Sequence, residues 1–107
     1  MNVKIIFFSI LIVSVLLETG ADFFFKKWAI ESKNIVLIFG LLLYIIASIF
    51  FAVSLKYEFL SKTISIFSLL NLLAITLVGI LFFKEHLTLL NKIGVGLAII
   101  SIVLIEL

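Results

Sequence analysis

Four long apolar stretches, three short lysine-bearing breaks and a scarcity of charge predict the fold class. The chain is expected to be an all-α integral membrane protein, with four transmembrane helices per subunit in a compact bundle and residues 1–107 as a single domain. Of the 107 residues, 65% are hydrophobic and 13% charged, against about 45–50% and about 25% in soluble domains. A chain this short buries only about 60% of the surface it exposes when unfolded. The remaining apolar surface must therefore face a lipid bilayer.

A spanning helix takes about 20 apolar residues. Four segments qualify: about 3–25, 35–55, 63–83 and 89–107, the last being the shortest. The breaks KKWAIESKN, KYEFLSK and KEHLTLLNK are short, so consecutive helices should pack as antiparallel neighbours. The first span has a second reading as a cleaved signal peptide, because Lys4 precedes its apolar run. No small-x-small cleavage site follows, and the run continues through Phe23, Phe24 and Phe25, so the span is expected to be retained.

Composition removes several function classes. There is no cysteine and one histidine, His86, which excludes disulfides, thiolate metal sites and cysteine nucleophiles. No nucleophile–base constellation, metal cluster or phosphate-binding glycine loop is present, so no enzyme, cofactor or metal is expected. A net charge of +2 is too small to indicate a nucleic-acid partner. Proline is absent, so any kink must arise at glycine or at polar side chains.

Lysines normally set orientation. The N-terminus and second break hold Lys4, Lys56 and Lys62, while the first and third hold Lys26, Lys27, Lys33, Lys84 and Lys92. Adding the N-terminal amine leaves four charges against five. The weak bias places the first and third breaks in the cytoplasm, yet a near-balanced count is also what a protein inserted in both orientations would show.

At 100° per residue, Ser14, Glu18, Ala21, Asp22 and Phe25 share one face of the first helix. Gly40, Tyr44, Ala47, Ser48 and Phe51 align on the second. On the third, Ser65, Ser68, Leu72, Thr76 and Gly79 fall within roughly 80°, with Asn71 further round. Small and hydroxyl residues at these positions are explained by helix packing alone. Glu18 is not, because packing never requires an ionisable group.

Glu18 lies roughly 21 Å along the helix from Lys4, and Asp22 roughly 27 Å. Asp22 and Lys26 are spaced for an interfacial i, i+4 ion pair, although Asp22 is also a candidate partner of Glu18 in binding. Glu18 has no such partner and should face a cavity or another helix. A carboxylate at that depth can hold a proton or a cation, but less readily both, which describes a proton-exchange site. On the fourth helix, Gly94, Ala98 and Ser101 form a small-residue ridge suited to close helix approach, either as a dimer contact or within one chain. A four-helix unit has little room for a pathway of its own, so two copies are expected to build the site.

These residues resemble the small multidrug resistance family, within the broader drug/metabolite transporter superfamily that includes EamA-type domains. Glu18 falls where that family has its intramembrane glutamate, and Lys26 matches the lysine two turns later. Tyr44 matches the helix-two tyrosine. Phe82-Phe83-Lys84-Glu85-His86-Leu87 is similar to the FFGExL-type turn after helix three, and Ile93-Gly94 opens helix four as in the family. The likeness spans essentially the whole chain without a gap. It also has departures. Ile64 and Phe67 stand in place of an aromatic pair, Leu69 and Asn71 replace a glycine-rich kink, and Leu17 precedes the glutamate where drug exporters usually have alanine.

The resemblance implies a homodimer, commonly antiparallel (dual topology), in the inner (cytoplasmic) membrane. Two copies of Glu18 would share one site, where proton and substrate compete during alternating access. The expected function is proton antiport of small cationic or amine-bearing compounds, with the proton as coupling ion. Glu18, Tyr44, Phe67 and Ser68 are the expected binding residues, and Ser14, Asp22 and Asn71 the accessory ones. The alternatives are a flippase subunit for a lipid-linked amino sugar and a non-transporting accessory or channel subunit.

Overall fold

The computed structural model describes residues 2–106 and consists of four α-helices: α1 (Val3–Glu31), α2 (Asn34–Ser54), α3 (Leu60–Phe82) and α4 (Leu89–Glu106). All four are long and apolar enough to cross a membrane, and the chain is a multi-pass membrane protein. Its longest dimension is 43 Å, which matches a bilayer of about 40–45 Å including headgroups.

Each boundary has a local cause. Asn2 caps α1 by accepting a 2.9 Å bond from the Lys4 amide. The helix then continues six residues past the expected end at Phe25. Hydropathy marks where the hydrocarbon stops, whereas a helix stops only where its backbone is broken, and no glycine or proline lies between Ala21 and Glu31. The break comes at Ser32, which is left-handed (φ 59°) and donates its amide to the Trp28 carbonyl at 2.7 Å. The expected first loop therefore shrinks to Ser32 and Lys33.

Helix α3 starts three residues earlier than expected, at Leu60. Its C-terminus is reversed by Lys84 (φ 53°), which brings the Glu85 amide back to the Gly79 carbonyl at 3.1 Å. Helix α4 opens with a reciprocal cap. The Thr88 amide donates to Asn91 Oδ1 at 3.3 Å, and the Asn91 amide donates to Thr88 Oγ1 at 3.2 Å, satisfying two otherwise orphaned donors. The expected end of α4 at Leu107 lies outside the described residues.

Helix α1 is the centre of the bundle, packing along α2 on one side and against α3 on the other, while α4 packs on α3. The closest approach of α1 and α2 is at Gly40. A Cβ there would lie 2.8 Å from the Phe25 ring and 3.3 Å from the Ala21 carbonyl oxygen. Two turns further along α2, buried Ser14 donates to the Ala47 carbonyl at 2.7 Å. Phe7, Leu11 and Ile66 form the buried cluster between α1 and α3, flanked by Phe51, Phe67 and Leu70. Most other large apolar side chains are exposed, Leu81, Leu90 and Leu104 among them, as lipid-facing residues must be.

Charges join three helices at one membrane face. Glu106, at the end of α4, pairs with Lys4 of α1 at 2.9 Å and with Lys62 of α3 at 3.4 Å, and Lys62 also pairs with Glu58 at 3.3 Å. The longer Lys62–Glu106 contact lacks hydrogen-bond geometry, since Glu106 Oε1 has no hydrogen-bond partner.

Candidate functional site

Two clefts flank α1, and each receives one of its carboxylates. The first, of about 220 Å³, is lined by Glu18, Tyr44, Ala47, Ser48, Phe51, Ile64 and Phe67. Its residues run from the middle of α1 and α2 towards the α2–α3 connection. The second, of about 190 Å³, is lined by Asp22, Phe23, Lys26, Ile75, Val78, Gly79, Phe83 and Glu85. It occupies the opposite half of the membrane, beneath the α3–α4 connection.

The first cleft brings together three of the four expected binding residues, Glu18, Tyr44 and Phe67. Positions 44, 48 and 51 follow i, i+4, i+7 and so share a face of α2. Glu18 is half-buried and, among the described residues, pairs with no cation. The aromatic wall is fixed: Phe67 packs edge-on against Phe51 with ring centroids 5.0 Å apart, and Tyr44 lies 6.5 Å from Phe25. The site is therefore a free carboxylate facing π-surfaces, an environment in which an organic cation gains from both charge and ring quadrupole.

Other expected site residues are placed elsewhere. Ser68 is exposed and does not line the cleft, because it is turned about 100° from Phe67 on α3. Ser14 is spent on the Ala47 carbonyl and is a packing residue. Asn71 lines neither cleft. It meets the Thr19 hydroxyl at 3.3 Å. The Asp22–Lys26 ion pair is not formed among the described residues. Lys26 is exposed and extends towards solvent instead. On α4, Ala98 is buried within its own chain and Gly94 lines a cleft between α3 and α4.

Ser48, Phe51 and Ile64 line the site without having been expected to. The helical spacing from Tyr44 was the signal for Ser48 and Phe51. Ile64 carries no chemistry that would single it out. Among the described residues, no three His, Asp or Glu side chains converge to hold a metal ion.

No family model, curated protein or solved structure matches this chain.

Proposed function

We propose that the protein is a proton-coupled transporter of small cationic or amine-bearing compounds, working as a dimer by alternating access. One observation carries this reading. Glu18, with no cationic partner among the described residues, lies deep in the span and faces a cleft walled by Tyr44, Phe51 and Phe67. An acid retained at that depth is costly unless it is used. Proton and cation then compete for the same carboxylate, and that competition is the coupling.

The size of the cleft supports a second copy. At about 220 Å³ it is smaller than ordinary ligand pockets of about 300–1,000 Å³, and α4 contributes nothing to its lining. A partner chain presenting its own Glu18 would enlarge the site and supply a second carboxylate. The resemblance to the small multidrug resistance family points the same way, and so does the near-balanced lysine count, which suits subunits of opposite orientation. An inner (cytoplasmic) membrane location follows from the same resemblance.

The test is proton release from purified, detergent-solubilised protein in weak buffer when hydrophobic and guanidinium-type cations are added. Release that disappears in Glu18→Gln is the expected result. Absence of release with every cation would overturn the reading.

A further inference from the structure

The Asp22 cleft differs in chemistry from the Glu18 cleft. It contains a cation of its own, Lys26, beside the carboxylates of Asp22 and Glu85. Lys26 repels any cation there, but a proton needs no room for a bulky ion and passes along hydrogen-bonded water and carboxylates, which an organic cation cannot do. The cleft is also narrowed from above by the chain itself. Glu85 folds over Gly79 so closely that a Cβ on Gly79 would displace its carboxylate.

The two clefts do not merge. Between them α1 and α3 touch through Thr19, which is buried, and Asn71. Along α3, Asn71 falls between Phe67 of one cleft and Ile75 of the other. The carboxylates of Glu18 and Asp22 nonetheless sit one turn apart on α1, where residues at i, i+4 have Cβ atoms about 5–6 Å apart and their charges interact. Asp22 is faced by Glu18 and Lys26 from its own helix and by Glu85 from the segment after α3. The ionisable residue of α3, Lys62, is at the other end of that helix, and α2 carries only Tyr44.

We propose that Asp22 is a second proton-exchanging station, reached from the α3–α4 connection through the cleft it shares with Lys26 and Glu85, and coupled to Glu18 across one turn of α1. The proposal rests on Glu18 being the proton–cation site. A proton displaced from Glu18 leaves by the first cleft when a cation binds. Its replacement comes from Asp22, reloaded from the opposite face, only after the access switch has released the cation at that face. The Thr19–Asn71 contact keeps the clefts apart until that switch, so no continuous proton path crosses the membrane.

Two measurements test this without a transported compound, so their failure is separable from failure of the proton–cation reading. The first is an infrared titration of purified protein in lipid, following the carbonyl band of protonated carboxyl groups. Asp22→Asn should remove one titrating component and shift the one that Glu18→Gln removes. An unchanged spectrum in Asp22→Asn would overturn the proposal. The second exploits the absence of cysteine. Double variants in sealed vesicles are treated with a membrane-impermeant thiol reagent and weighed intact. Val78→Cys with His86→Cys should give molecules labelled twice or not at all. Val78→Cys with Tyr57→Cys should give molecules labelled once, whatever the mixture of orientations. The reverse pattern, or a Val78 position that never reacts, would place the cleft on the wrong face or seal it, and either result overturns the proposal.

Discussion

Thr19 and Asn71 meet across α1 and α3 at 3.3 Å, at the level where the Glu18 cleft ends and the Asp22 cleft begins. The Thr19 hydroxyl has one proton, and its shorter bond, 2.8 Å, is to the Val15 carbonyl. Its contact with Asn71 is thus the weaker arm. With the Asn71 carbonyl turned to Thr19, its amide nitrogen keeps its donor capacity. Interhelical polar contacts in membranes average about 0.6 kcal/mol. A double-mutant cycle of Thr19→Val and Asn71→Leu, read by unfolding in detergent, should therefore give a coupling near that value. A coupling indistinguishable from zero would show that the two side chains do not hold the helices together.

Glycine replacements should separate packing from open surface. Gly40→Ala must displace the Phe25 ring, and its Cβ sits tightly against the fixed Ala21 carbonyl oxygen. Overpacking of this kind costs about 1–3 kcal/mol. Gly96 has nothing within 4 Å of an added Cβ, so Gly96→Ala should leave the chain as stable as before. Thermal unfolding in one detergent compares the two directly. Equal stability of both variants would contradict the close α1–α2 approach.

The ends of the helices make a further prediction. Lys4 and Glu106 are ion-paired at 2.9 Å although they lie near opposite ends of the sequence. Carbodiimide treatment, which condenses only touching amine–carboxylate pairs, should link Lys4 to Glu106 within a single chain. It should not link Lys26 to Asp22. Peptide mass mapping reads both. The pairs themselves contribute little, about 0–1 kcal/mol for exposed partners, so Glu106→Gln should loosen the attachment of α4 without unfolding the bundle.

How legible these features were depends on the range of the signal. The four spans, and the convergence of Glu18, Tyr44 and Phe67, follow from helical periodicity and shared depth, which are local properties of the sequence. The extension of α1 to Glu31 was hidden because hydropathy reports the edge of the lipid, while the helix ends at the left-handed Ser32. The separation of Asp22 from Lys26 was hidden for another reason. Spacing shows which residues are able to pair along one helix, but not that the Lys26 side chain turns to solvent instead. The Glu106 cluster is the most distant case, since nothing local to Lys4 indicates that the far end of the chain returns to it.

Phe67 offers the sharpest test of how the cleft recognises charge. Its ring is fixed against Phe51 and lines the cleft together with Glu18. Phe67→Leu keeps most of the apolar volume and removes the π-face. Cation–π contacts contribute about 0.5–2 kcal/mol, so cation affinity should fall roughly 2- to 30-fold, at about 1.4 kcal/mol per tenfold. A neutral compound of the same shape should bind the variant and the parent equally, because the apolar wall survives. Ser68→Ala, which alters a residue outside the cleft, should leave both affinities unchanged. Equal losses for the charged and the neutral compound would mean that Phe67 acts by shape alone, and the discrimination of charge would then fall entirely to Glu18.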